Sequence, residues 1–166
     1  MRSSWGVGLA AVLALAAGSA GAQARGQQKA ADPSAEATKH VAVIDVGLET
    51  AEKNADALGE IAKSAETYDR AHGGVFAKNI DDALAQAKAH LAHLEPLATS
   101  EEQKKQFQDL SQRLGKAETM AKDLGTKLGD PAQVREAARA LEKELDGSDG
   151  PLERLARGMN VKADVG

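Results

Sequence analysis

Apolar residues recur in alternating steps of four and three along residues 37–65, and this pattern limits the fold more than any other feature of the chain. A spacing of about 3.5 residues keeps the apolar positions on one side of an α-helix over many turns. Several of these positions are alanine, which lets a neighbouring helix come close. The pattern therefore predicts a long helix with one buried stripe. The stripe comprises Ala37, Val41, Ile44, Leu48, Ala51, Ala55, Leu58, Ala62 and Ala65.

Two consecutive helices are predicted in the first part of the chain. The first begins near residues 33–35 and ends at Arg70, because the His-Gly-Gly sequence of residues 72–74 is a common helix stop. The second covers residues 76–95, and Pro96 limits its regular continuation. The apolar positions of the second helix are Ile80, Leu84, Ala87, Leu91 and Leu94, followed by Ala98.

Capping residues mark the start of two further helices. Ser100 and Gln103 have the spacing of a capping box, in which each side chain pairs with a backbone amide of the other residue. Gly129, Asp130 and Pro131 supply a helix-ending glycine, an N-cap and a first-turn proline in succession. The third and fourth stripes comprise Phe107, Leu110, Leu114, Ala117, Ala121, Leu124 and Leu128, and then Val134, Ala138, Leu141 and Leu145.

The Gly-Ser-Asp-Gly sequence of residues 147–150 predicts a break in the fourth helix, after which Pro151 opens a short last piece. Short connections favour antiparallel neighbours. The predicted fold class is therefore all-α, an antiparallel up-down bundle of four helices with the last one broken. The bundle covers residues 35–158, and residues 159–166 form a frayed tail. A three-helix bundle with an appended hairpin is the alternative architecture.

One segment carries a competing signal. Residues 40–47 alone have the pattern of a buried strand that leads into a helix, as at the start of a dinucleotide-binding unit. No second β-branched run pairs with this segment, and no glycine fingerprint follows it. The helical interpretation is therefore favoured over the strand.

The first 24 residues predict a secretory signal peptide. Arg2 precedes an apolar run over residues 5–17, and small residues follow up to Ala24. The run is shorter than the roughly 20 apolar residues that a membrane-spanning helix needs. Cleavage after Ala24 is favoured over cleavage after Ala22, and residues 25–34 form a flexible polar leader. We therefore expect the mature protein in the periplasm or outside the cell.

Composition and motifs exclude several classes of function. The chain has a net charge of -4, with basic residues scattered among acidic ones, whereas nucleic-acid binding needs a concentrated positive face. The absence of cysteine excludes disulfides, thiol chemistry and c-type haem attachment. No nucleophile elbow, phosphate loop or metalloprotease helix motif is present. We therefore expect a non-catalytic protein with no cofactor and no nucleic-acid partner.

Histidines supply the weak candidates for metal binding. His90 and His93 are three residues apart on the second helix, so their rings project from one side and are able to share a metal ion. Two ligands do not make a site, and His40 has no partner nearby in the sequence. A haem needs two axial ligands across the core, and His90 with Met120 is the one pair that can be constructed. The alanine-rich stripes leave too little space for a haem, so no haem is predicted. No metal site is predicted either, because only two ligands are available.

The remaining functions use a surface rather than a buried site. Val43 and Val46 lie away from the stripe of the first helix, beside Gly47, which permits close approach of another backbone. These valines form a hypothetical contact face for a second copy or another protein. We expect an exported, non-catalytic helical-bundle protein of a bacterial-type cell envelope that acts through protein interaction, as a scaffold, a chaperone-like binder or a subunit.

Two alternatives to this function stay open. One is a periplasmic carrier of a metal or small ligand that uses His90 and His93. The other is an amphipathic protein that binds a membrane surface. The second is disfavoured because surface-binding helices usually carry Lys and Arg on the polar face, whereas these helices carry both signs of charge.

Overall fold

The computed structural model describes residues 33–161, which form four α-helices and one short 3₁₀ segment and contain no strand. The all-α fold class is confirmed. Residues 40–47 lie within the first helix, so the strand alternative is wrong. The helices are α1 (Pro33–Ile61), α2 (Arg70–Leu94), α3 (Glu101–Thr126) and α4 (Pro131–Gly158), and the 3₁₀ segment is Glu95–Leu97.

The four helices pack together around a core of leucine and alanine. α1 and α3 each pack mainly against α2 and α4, so the three-helix alternative is wrong. The stripe of α1 is buried from Ala37 to Ala62, and only Ala65, beyond the end of the helix, is exposed. Removing these side chains from water supplies the main driving force for packing. The largest fully buried side chains are Ile44, Leu58, Ile80, Leu84, Leu94, Leu110, Leu114, Leu124, Leu141, Leu145, Leu152 and Leu155.

The connection between α1 and α2 lies earlier in the chain than the sequence predicts. α1 ends at Ile61 rather than at Arg70, and α2 begins at Arg70 rather than at residue 76. Asp69 is the N-cap of α2, because its side chain accepts a hydrogen bond from the amide of Ala71, 2.9 Å away. This cap starts α2 before Gly73 and Gly74, the glycines from which the sequence predicted a helix end.

Gly73 lies inside the first turns of α2 and makes room for Tyr68. A Cβ at Gly73 would lie 2.5 Å from the tyrosine hydroxyl oxygen. That hydroxyl donates a hydrogen bond to the backbone carbonyl of Leu128, 3.2 Å away, which ties the loop before α2 to the loop after α3. The glycine therefore serves packing between distant segments and does not end a helix.

The predicted starts of α3 and α4 are confirmed. The Ser100 hydroxyl accepts a hydrogen bond from the Gln103 amide at 3.1 Å, and the Gln103 side chain accepts one from the Ser100 amide at 2.8 Å. Asp130 accepts hydrogen bonds from the amides of the two residues that follow Pro131, the first residue of α4. These side chains satisfy amides that have no partner within their own helices.

The predicted break in the last helix is wrong, since α4 continues without interruption through residues 147–151. Its buried stripe keeps helical spacing across this segment, through Leu145, Ser148 and Leu152. The hydroxyl of Ser148 donates a hydrogen bond to the carbonyl of Glu144, 3.2 Å away. Burial of the stripe outweighs the roughly 1 kcal/mol that each glycine costs in a helix and the roughly 3 kcal/mol that a proline costs.

At two glycines of α4, Gly147 and Gly150, arginine side chains lie against the helix. A Cβ at Gly147 would lie 2.8 Å from Nη1 of Arg113 on α3, and a Cβ at Gly150 would lie 3.3 Å from Nη1 of Arg154. Arg154 Nε donates a hydrogen bond to the Gln106 side chain of α3 at 2.9 Å. The two glycines therefore accommodate polar contacts between α3 and α4 without interrupting α4.

The last described residues turn back onto the bundle. Met159 and Val161 fall within the predicted frayed tail, yet both are buried in the core. Asn160 between them has a φ of 56°, a left-handed conformation that asparagine tolerates better than most residues. The amide of Val161 then donates a hydrogen bond to the carbonyl of Ala156 at 2.9 Å. This turn closes the C-terminal end of α4.

Two predictions concern export and membranes. Among the described residues, no helix combines the length and the apolar character needed to cross a membrane. The predicted signal peptide, residues 1–24, and the predicted leader up to residue 32 lie outside the described residues. Export therefore stays a prediction from the sequence.

Candidate functional site

A surface groove of 440 Å³ lies between α1 and α2. Val43, half-buried, and Val46, 58% exposed, both line it. The other large apolar side chain that is exposed among the described residues is Val75, at 56%, and it lies outside the groove. The two valines that the sequence indicated as a contact face therefore share one concave surface.

Gly47 lines the same groove but has a role inside the bundle. It is buried, and a Cβ at this position would lie 3.1 Å from the carbonyl oxygen of Ala83 and 3.1 Å from the Cβ of Ala87. Both of these neighbours are on α2. Gly47 permits the close backbone approach that its residue type predicted, and α2 of the same chain makes this approach.

The polar residues of the groove are mostly uncharged. Asn79 donates a hydrogen bond from Nδ2 to Oδ1 of Asn54, 3.2 Å away, and this bond links α2 to α1. The carboxylate of Asp82 is paired with Lys78 one turn earlier in α2. The groove therefore presents methyl groups and amides, and its one carboxylate already has a partner. The other polar residues that line it are Thr50 and Gln86.

Three histidines form a cluster on the same pair of helices, and we call His40, His90 and His93 the histidine cluster. Nδ1 of His40 on α1 and Nδ1 of His90 on α2 are 3.0 Å apart. The ring of His93 lies 4.8 Å from that of His40 between centroids, with 21° between the ring planes, and 6.2 Å from that of His90. His40 was not predicted as a candidate ligand, because its partners lie about fifty residues away in the sequence. One feature of the sequence does indicate that the two histidines lie near the packed face of their helices: His40 and His90 each precede a stripe residue, Val41 and Leu91.

Burial and neighbouring charge both act on His40. Partial burial, and then the like charges of His93 and His90, lower the pKa of His40 below its ordinary value, against an opposing effect of Glu36. The lowered pKa favours the neutral form of the His40 ring at pH 7. Within residues 33–161, no group of three or more histidine, aspartate or glutamate side chains is arranged so as to hold a metal ion. The expectation that His90 and His93 alone form no high-affinity metal site stays a prediction.

The other candidate ligands lie away from this cluster. His72, in the first turn of α2, stacks on Phe76 with 5.4 Å between ring centroids and 9° between ring planes. Met120 lines a separate groove between α3 and α4. Since His90 contacts His40 instead, the described structure does not pair His90 with Met120 across the core.

Acidic residues face each other where α1 packs against α4. Burial, followed by repulsion from Asp149 and Asp146, raises the pKa of Glu52. Burial, followed by repulsion from Asp146 and Asp45, raises the pKa of Asp149. A carboxyl group whose pKa is raised on folding destabilises the fold when it is ionised, so this contact opposes stability at neutral pH.

Comparison with known proteins gives no assignment: no protein-family model, curated protein or solved structure matches this chain with significance. The groove and the histidine cluster are therefore interpreted from their own chemistry. The groove offers an apolar contact surface, and the histidine cluster offers nitrogen donors from two helices.

Proposed function

We propose that this protein is an exported, non-catalytic helical bundle of the bacterial-type cell envelope that acts by binding another protein in the groove between α1 and α2. The observation that carries the proposal is Val46, 58% exposed in a concave apolar surface that no described residue covers. Exposed apolar surface of this kind is unfavourable in water and becomes favourable when a partner covers it. The pattern of residues 1–24 supports export.

We infer that the two helices that flank the groove run antiparallel. His40 near the start of α1 contacts His90 near the end of α2. Asn54, further along α1, contacts Asn79, which comes earlier in α2. A partner that lies along the groove therefore contacts the middle of two helices and neither of their ends.

The groove lining indicates the chemistry of the partner. Val43, Val46 and Ala83 offer methyl groups, while Asn54 and Asn79 offer amides. A charged side chain entering this groove would lose water without meeting an opposite charge, since Asp82 is already paired. The partner is therefore a protein segment with apolar side chains and uncharged hydrogen-bonding groups, and not a charged peptide.

A membrane surface is the weaker candidate for the same face. Binding to anionic lipid needs an excess of Lys and Arg beside the apolar residues. The polar side of α1 instead carries ion pairs such as Glu49 with Lys53, and α2 carries Lys78 with Asp82. Vesicle sedimentation of the mature protein should show no binding that depends on Val46.

A pair of matched substitutions tests the proposal. Val46→Lys places a charge in the groove, whereas Val75→Lys places the same charge on an equally exposed valine outside it. We expect Val46→Lys to weaken partner binding by at least about tenfold and Val75→Lys to leave it unchanged. The Val43→Lys, Val46→Lys double variant should be weaker still.

Sedimentation of the mature wild-type protein over a range of concentrations identifies one class of partner. Concentration-dependent association that Val46→Lys abolishes means that the partner is a second copy. If the wild type stays monomeric and binds an envelope protein that the Val46→Lys variant does not bind, the partner is that other protein. If the wild type is monomeric and both variants retain the same bound proteins, the groove is not an interface.

A further inference from the structure

The histidine cluster brings two ring nitrogens close enough to become ligands of one metal ion. Nδ1 of His40 and Nδ1 of His90 are 3.0 Å apart and come from different helices. Two imidazole nitrogens that bind the same zinc ion lie about 2.0 to 2.1 Å from it, and so lie about 3.3 to 3.4 Å apart at the tetrahedral angle. In the absence of metal, the two nitrogens make a hydrogen bond in which one ring donates and the other accepts. A metal ion bound to both nitrogens requires them to separate by about 0.3 to 0.4 Å and the two rings to turn toward the ion.

We propose that His40 and His90 bind a divalent transition-metal ion, with His93 as the neighbouring third ligand. The ring of His93 stacks on His40, with centroids 4.8 Å apart, which explains why the three side chains do not already form a metal site. His93 is exposed, so rotation about its side-chain bonds is unhindered by the core. Solvent supplies the remaining ligands. This proposal does not rest on the function proposed for the groove.

The donor set selects the class of metal. Neutral imidazole nitrogens suit Cu²⁺, Ni²⁺ and Zn²⁺, whereas Mg²⁺ and Ca²⁺ require oxygen ligands. The chain has no cysteine, so no thiolate ligand is present to favour Cu⁺ or an iron–sulfur cluster. Cu²⁺ is expected to bind most tightly because it stands at the top of the affinity order for divalent metals of this row.

Because the ligands lie on two helices, metal binding is expected to stabilise the fold. His40 is on α1, whereas His90 and His93 are on α2, so a bound ion joins two helices that are connected by the loop before Arg70. The unfolded chain does not hold these side chains together. A metal that binds the folded chain therefore raises its stability in proportion to the logarithm of the metal concentration above Kd.

The test uses the mature protein without a histidine tag, with CuCl₂, NiCl₂ and ZnCl₂ as separate probes. Calorimetry should show one ion per chain, with a Kd on the order of 1 to 100 μM. His40→Gln and His90→Gln should each weaken binding at least about tenfold, and His93→Gln should weaken it less. His72→Gln is the matched control, because His72 lies on α2 outside the cluster. It should leave the affinity unchanged.

Two further measurements separate ligation from misfolding. The thermal midpoint should rise with added metal in the wild type and in His72→Gln, fall back with EDTA, and stay constant in His40→Gln. The metal-free far-ultraviolet spectrum of His40→Gln should match that of the wild type. Electron paramagnetic resonance of the Cu²⁺ form should show coupling to two or three nitrogens. The proposal is overturned if none of the three ions binds at about 100 μM, or if His40→Gln binds them as tightly as the wild type.

Discussion

Gly150→Ala tests whether α4 is one helix or two, which is where the structure departs most from the sequence prediction. In a continuous helix, alanine is favoured over glycine by roughly 0.5 to 1 kcal/mol. The added Cβ would lie 3.3 Å from Nη1 of Arg154, whose side chain is 53% exposed and free to move by a few tenths of an ångström. We therefore expect the free energy of unfolding to rise by about 0.5 kcal/mol or slightly more, and the thermal midpoint by about 2 °C.

Gly115→Ala in α3 is the matched control, because a Cβ there meets nothing within 4 Å and both the sequence and the structure place it inside a helix. Urea unfolding of the two variants and the wild type makes the comparison. Both substitutions should stabilise the protein. If Gly115→Ala stabilises while Gly150→Ala destabilises by about 1 kcal/mol, residues 147–150 form the break that the sequence indicated, and the reasoning about α4 is refuted.

Three further predictions follow from burial, charge and export. Leu114→Ala, at a side chain that is 1% exposed, should destabilise by about 2 to 4 kcal/mol in urea melts, whereas Lys116→Ala should cost less than about 0.5 kcal/mol because the Lys116 side chain is 63% exposed and Glu144 keeps Arg113 as a second partner. Equal small losses would contradict the packing of α3. Asp149→Asn should stabilise at pH 7 by about 0.5 kcal/mol, a size typical of exposed charges. This advantage should shrink as the pH is lowered toward the ordinary aspartate pKa of about 3.9, because the raised pKa lets the folded wild type take up the proton before the unfolded chain does. The intact mass of the exported protein should correspond to a chain that begins at Arg25, or at Gln23 for the alternative cleavage, and a full-length chain retained in the membrane would contradict export.

The parts of the fold that depend on local chemistry were predictable from the sequence. The stripes follow from spacing alone, and the starts of α3 and α4 follow from side chains within three residues of Ser100 and Asp130. The helix ends predicted at Gly73 and Gly147 were misjudged because the side chain that each of these glycines accommodates comes from outside its helix. Gly73 accommodates Tyr68 from the preceding loop, and Gly147 accommodates Arg113 from α3.

In the candidate sites, too, features that depend on one helix were predictable from the sequence, and features that depend on how two helices pack were not. The exposure of Val46 follows from its position on α1, and the sequence predicted it. The partial burial of Val43 depends on how α2 packs against α1, which spacing within one helix does not reveal. His40 joins His90 only because the order of the two helices brings the start of α1 to the end of α2. A search for metal ligands restricted to one helix therefore finds His90 and His93 and misses the third histidine.

Site-specific photo-crosslinking tests the central claim, that the groove between α1 and α2 binds a protein. A photoreactive phenylalanine analogue replaces Val46 in one variant and Val75 in the other. Both variants are produced with residues 1–24 in the bacterium that the sequence comes from, so that the partner is present. The two positions are almost equally exposed, so random collisions label them equally. The account predicts a discrete crosslinked protein at position 46 and none at position 75. Equal, diffuse labelling at both positions would contradict it.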